Sequence, residues 1–154
     1  MLEVSVDQNI NKYWLDLDAA PSCDAKRFTI DRHIKQGNVL WSSKRLMPYR
    51  TRLQQRGYSG INGRRILRTL NRFDAMPILN ANALDFLLEH QDLIPMFCRN
   101  IELHFWGTIY RETKGDRFVR YLHWNEKWIE GDTLVDGYGW SSQSVAALYI
   151  GMHW

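Results

Sequence analysis

Three arginines at one helical spacing set the first chemical question. Arg64, Arg68 and Arg72 recur at i, i+4 and i+8, with Arg65 beside the first of them. A guanidinium is planar, stays charged and offers paired N–H donors that match a phosphate, so such a row suits an anionic partner. Without one, like charges at this spacing destabilise a helix by about 0.2–0.5 kcal/mol per pair. Something must neutralise them, either an external polyanion or the acidic residues of the chain itself.

The row belongs to a longer block. No acidic residue lies between Asp31 and Asp74, whereas Arg32, Lys35, Lys44, Arg45, Arg50, Arg52, Arg56, Arg64, Arg65, Arg68 and Arg72 all do. That segment carries +11 in a chain of net charge +3, which leaves −8 on the remainder. Arginine outnumbers lysine, and Trp41, Tyr49 and Tyr58 interleave with the basic residues. Nine positions are the candidate contacts to nucleic acid or another polyanion: Lys44, Arg45, Arg50, Arg52, Arg56, Arg64, Arg65, Arg68 and Arg72. Within the block, Gly60-Ile61-Asn62-Gly63-Arg64-Arg65-Ile66 has the G-x-x-G-x-x-I spacing by which KH loops clamp a nucleic-acid backbone, although Ser59 stands where an aliphatic residue is usual. A helix-turn-helix with the helix after Asn62 as reader is the other helical option, and Gly57 to Gly63 is long for its turn.

A second chemical cluster lies further on. From Ile101 to Trp124 apolar and polar residues alternate around Thr113-Lys114-Gly115-Asp116, the pattern of a β-hairpin. A two-residue loop would put Phe105, Ile109, Phe118 and Leu122 on one face, and His104, Trp106, Tyr110, Tyr121 and His123 on the other; a three-residue loop would exchange the faces. Rings, hydroxyls and imidazoles sharing a face can stack planar groups or bury against a second copy of the chain in a homo-oligomer. His104, His123 and Glu102 would be the centre of any acid–base or metal chemistry, but two scattered histidines form no spaced ligand motif. Asp16 and Asp18 alternate with Leu15 and Leu17, which fits a half-buried strand better than a metal loop. Cys23 and Cys98 are far apart and suggest neither a disulfide nor a zinc site. No phosphate-binding glycine loop, dinucleotide fingerprint, nucleophile elbow or H-E-x-x-H is found, so the motifs imply no cofactor, no metal and no common enzyme class.

Elements to hold these residues follow from periodicity. The start through Trp41 reads as short strands, with Lys26 to Ile30 and Val39 to Trp41 forming a hairpin across Gln36-Gly37-Asn38. Ser43 to Arg56 is helical in composition around Pro48. Asn62 is a good N-cap for a helix to about Asn71, with Ile66, Leu67 and Leu70 on its apolar side. Asn80 or Asn82 caps another carrying Leu84, Phe86, Leu87 and Leu88, in which Asp85 suits the helix dipole. Trp128-Ile129, Thr133 to Val135 and Val145 to Ile150 add short strands or a closing helical turn.

The sequence of 154 residues, 45% hydrophobic and 24% charged, has the ordinary composition of a folded domain. With no repeat or linker, one α+β domain spanning 1–154 is expected, central helices packed on a mostly antiparallel C-terminal sheet. The acidic N-terminus lacks the apolar run of a secretory signal, and no stretch approaches a membrane span, so a cytoplasmic protein without a membrane partner is expected.

Three stretches look familiar together: Ile61-Asn62-Gly63 to Leu70; Leu79-Asn80-Ala81-Asn82-Ala83-Leu84-Asp85-Phe86-Leu87-Leu88 with Asp92-Leu93-Ile94-Pro95; and Phe105-Trp106-Gly107-Thr108-Ile109-Tyr110-Arg111 with Val119-Arg120-Tyr121-Leu122-His123-Trp124. Over roughly residues 14 to 150 they resemble an uncharacterised bacterial family of small proteins. The resemblance implies no activity. Its members have a less basic middle segment, so Arg50, Arg52, Arg64 and Arg65 are departures, and a polyanion site would be a property of this chain.

Overall fold

The computed structural model describes residues 13–72 and 77–151. Alternation in the C-terminal half produces strands β5 (Glu102–His104), β6 (Thr108–Glu112), β7 (Arg117–Trp124), β8 (Trp128–Leu134) and β9 (Ser144–Tyr149). Tyr110 pairs with Phe118 and Arg111 with Arg117. The hairpin loop therefore holds three residues, Thr113-Lys114-Gly115, closed by the Glu112 amide donating to Asp116 O at 2.7 Å, and Gly115 takes the left-handed φ of 101° that this loop length needs. The extra residue shifts the register by one and re-partners every side chain of the hairpin.

β7 organises the main sheet. β8 runs along one of its edges, while β6 and β5 lie end to end along the other, with Leu103 opposite Leu122 and His104 opposite Tyr121. β9 lies parallel to β5, and all other pairs are antiparallel. Two strands from the first half complete the sheet: β2 (Phe28–His33) on β6 and β4 (Leu46–Tyr49) on β9. Pro48 is tolerated in β4 because that strand is an edge, where a missing N–H costs no ladder bond. Two further strands, β1 (Trp14–Asp16) and β3 (Asn38–Leu40), form a separate small sheet.

Three expectations are corrected here. β2 and β3 do not pair with each other; each takes a partner distant in sequence. Ser43 to Arg56 is not one helix but a 3₁₀ turn at Ser43–Arg45, strand β4 and a single-turn helix α1 (Arg52–Gln55). The hairpin faces follow the three-residue loop. Helices α2 (Gly63–Asn71) and α3 (Ala81–Glu89) start behind their asparagine caps, the Asn62 carboxamide accepting from the Arg64 amide and Asn80 from the Asn82 amide.

The chain is α+β and dominated by its sheet. Leu84 and Leu87 of α3 join Leu103, Leu122, Val145, Ala147 and Trp41 in one apolar cluster. Ile66 and Leu70 of α2 join Ile109, Val119, Ala146, Leu148 and the Trp106–Trp140 pair in a second. Val119 and Leu122 differ in parity on β7, so the two clusters lie on opposite faces of the sheet. Among the described residues, no helix is long and apolar enough to cross a membrane.

Candidate functional site

The second cluster fixes the elements that carry the arginines. Ile66 and Leu70 anchor α2 by its apolar side, which leaves Arg64, Arg65, Arg68 and Arg72 exposed. Gly63 sits where a Cβ would run into Val135 O and the Trp140 indole, so the start of α2 is pressed against the segment after β8. α1 has only four residues, and its anchor is Gln54, almost fully buried, whose side chain donates to Ser141 O at 2.8 Å and to Ser144 O. Gln54 Oε1 also accepts from the Thr51 amide at 2.9 Å, closing a capping box.

Between these anchored elements runs a groove of about 200 Å³ lined by Thr51, Arg52, Leu53, Ile61, Arg65, Arg68, Thr69 and Arg72. Four of the nine candidate basic residues meet there, and no carboxylate lines the groove among the described residues. Arg65 and Arg68 of α2 and its C-cap Arg72 follow one another at i, i+3 and i+7, and Arg52 of α1 lines the same groove. No ion pair within 4.0 Å involves any of the four among the described residues. Such a set of guanidiniums around one concave surface can grip successive phosphates or a single polyanionic group.

The other five candidates are placed differently. Arg64 turns from the groove toward Asp136 at 3.6 Å, a carboxylate whose pKa is held below its usual value mainly by the hydrogen bond from Arg117. Arg45 donates to Gly151 O and Arg50 to Ser142 O, so both act as internal ties. Lys44 borders an apolar cleft with Trp41, Leu93, Ile94 and Phe97, and Arg56 is exposed at the end of α1. Among the described residues, internal neutralisation thus reaches Arg64 but none of the four groove arginines.

The Gly60–Ile66 loop is not presented as a KH clamp. Ile61 bridges Trp140 and the Gly63 amide donates to Gly137 O at 3.2 Å, so residues 137–140 cover the loop. A four-residue α1 also gives no first helix for a helix-turn-helix.

Of the expected aromatic face, the register keeps His104, Tyr121 and His123 together with Trp106 on the same side, moves Tyr110 to the other side, and burial closes much of what remains. His104, Trp106 and Tyr110 are buried, and Tyr110 points to the opposite side of the sheet from Tyr121. His104 is enclosed by Tyr121 and Trp140, with ring centroids 4.8 and 4.5 Å away. Its Nε2 lies 2.9 Å from Thr133 Oγ1 and its Nδ1 3.2 Å from Glu102 O. Burial drives its pKa down to about 3, so the ring stays neutral. His123 lies 5.4 Å from Tyr121, on the partly exposed stretch of β7. Among the described residues, no group of three His, Cys, Asp or Glu is arranged to hold a metal.

The second and third of the familiar stretches meet in a polar lock between α3 and the sheet. Asn80, completely buried, donates to Leu17 O and Ile34 O at 2.8 Å each, and Thr108 Oγ1 accepts from the Ala81 amide at 2.8 Å. Gly107 lets the backbone after Leu79 pass close by. Asp85 does not serve the helix dipole; it binds Arg120 of β7 at 2.9 Å and accepts from Ser22 Oγ at 2.6 Å. Glu130 accepts from the same guanidinium nitrogen, Nη2. Burial works most strongly against the charge of Arg120, yet Asp85 and Tyr110 together outweigh it and raise its pKa. Sequence reading missed this pair because its members are 35 residues apart, although each lies within a stretch that had stood out.

No protein-family model, curated protein or solved structure matches the chain.

Proposed function

We propose that this protein is a non-enzymatic binding module for a polyanion, nucleic acid first among them, which it takes up at the groove between α1 and α2. The observation that supports the reading is the meeting of Arg52, Arg65, Arg68 and Arg72 around one concavity with no carboxylate in its described wall. The central helices are the functional layer in this account, and the sheet is their platform. Trp140 and His104 fill the second core, which leaves catalysis at His104 without an accessible imidazole. We further propose that the chain is cytoplasmic and belongs with the bacterial proteins whose motifs it resembles; the closure of the second and third stretches into one polar lock supports treating them as a unit.

Fluorescence anisotropy with labelled single-stranded and duplex DNA and RNA tests the proposal at low salt. Binding should fall at least about tenfold in the Arg65→Ala/Arg68→Ala double variant, since each lost phosphate contact removes a charge-assisted bond. Lys114→Ala, in the hairpin loop, should leave it unchanged. Equal affinity of all three proteins would contradict the assignment of the groove.

A further inference from the structure

On the sheet face opposite α2 lies a cavity of about 440 Å³ between the Ser22–Asp24 segment, the start of β2 and the strands β6, β7 and β8. That volume falls within the range of roughly 300–1,000 Å³ found for small-molecule sites. It does not depend on the arginine groove, because Phe118 and Arg120 project from β7 away from Val119, which packs with α2.

Its apolar wall is aromatic. Phe28 meets Tyr110 and Phe118 edge to face, with centroids 5.8 and 5.7 Å apart. Its polar wall is acidic: Asp24, Glu130 and Asp132 line it, against the cations Arg27 and Arg120. Arg120 is held by Asp85 and Glu130. Arg27 behaves otherwise. Its guanidinium lies 4.5 Å from the Phe28 centroid and 5.8 Å from that of Phe118, while reaching Glu112 at 3.4 Å and Asp132 at 3.9 Å. Its side chain is still 51% exposed, so these contacts are loose and solvent competes for them.

We infer that this cavity binds an organic cation, a guanidinium on a short apolar stem, and that Arg27 occupies the cation position when no ligand is present. Aromatic faces attract a cation through the ring quadrupole, and adjacent carboxylates give a guanidinium paired acceptors; Arg27 displays both contacts within the chain itself. A guest guanidinium would lie against Phe28 and Phe118, bond Asp132 and Glu112, and displace Arg27 into solvent. The guest is a free guanidino metabolite or an arginine side chain in a peptide, since the chemistry recognised is the same.

Two-dimensional amide NMR of the full chain, titrated separately with agmatine, a capped Gly-Arg-Gly peptide and its citrulline counterpart, provides the test. Saturable shifts at Phe28, Phe118 and Asp132 are expected with at least one of the cations and not with neutral citrulline. Shifts with agmatine assign the site to free cations; shifts with the peptide alone assign it to arginine side chains. Arg27→Ala should tighten binding by about three- to tenfold, because the internal competitor is gone. Asp132→Asn, a change at a partly exposed carboxylate, should weaken it at least about threefold. Equal response to citrulline, no saturable shift in either wild type or Arg27→Ala, or weaker binding by Arg27→Ala would overturn the inference.

Discussion

Lowering the pH should destabilise the fold in a window that belongs to His104. In the unfolded chain its imidazole has the ordinary pKa of 6.5, whereas in the fold burial drives it to about 3. Between those values the unfolded chain binds a proton that the folded chain does not, so stability is complete above pH 6.5 and is lost as pH falls toward 3. The slope is about 1.4 kcal/mol per pH unit for one proton, which amounts to roughly 2 kcal/mol between pH 7 and pH 5. Urea unfolding followed by tryptophan fluorescence should show a midpoint shift of about 1 M over that range, given a typical m-value near 2 kcal/mol per M. Asp136, held below its usual pKa by Arg117, contributes stability that disappears only as pH falls through 3.8 and below, beneath the pH 7 to 5 range of the assay. His104→Gln, whatever its stability at pH 7, should lose most of the slope between pH 6.5 and pH 5. A flat wild-type profile, or a variant as steep as wild type, would refute the enclosure of His104 as a neutral core residue.

The remaining predictions concern the lock, the close approaches and the thiols. Asn80→Ala should cost roughly 3–5 kcal/mol in urea unfolding, the sum of a lost cap and two buried carbonyls left without donors; Asn80→Ser, which keeps the cap acceptor, should recover only about 1 kcal/mol of that. Gly107→Ala should destabilise by about 1–3 kcal/mol or more in the same assay, because its Cβ would come 2.8 Å from Leu79 O and 2.9 Å from Asn80 Cα. Cys98 is buried and its thiol is pushed up to about 12, while Cys23 is exposed, so a disulfide thiol reagent should modify one cysteine in the folded protein and two in urea.

What could be read from the sequence was local. Asn62 announced α2, and the pair Asn80 or Asn82 announced α3, because an N-cap acts on amides two residues away; Asn62 and Asn80 are the caps that bond as that geometry requires. Leu15 and Leu17 are buried between exposed Asp16 and Asp18, as alternation implied. What failed depended on distant partners. Leu46 to Tyr49 looks helical beside Lys44 and Arg45, yet β9, about a hundred residues later, draws it into the sheet. One residue of hairpin loop decided whether Tyr110 shared a face with Tyr121, and composition does not distinguish two residues from three. The charge block was visible from the start, but its division was not. Arg64, Arg45 and Arg50 find internal acceptors, and only the packing of α1 through Gln54 brings Arg52 into the same groove as Arg65, Arg68 and Arg72.

The salt dependence of nucleic-acid binding addresses the proposed groove most directly. Four phosphate contacts predict a slope of log affinity against log salt near −3.6 on duplex DNA and −2.8 on a single strand, or about 150-fold and 50-fold weakening between 50 and 200 mM salt. The Arg52→Ala/Arg65→Ala/Arg68→Ala/Arg72→Ala variant should lose nearly all of that slope while unfolding as wild type does. A variant that retains the wild-type slope, or a wild-type chain that binds no polyanion at 50 mM salt, would contradict the account.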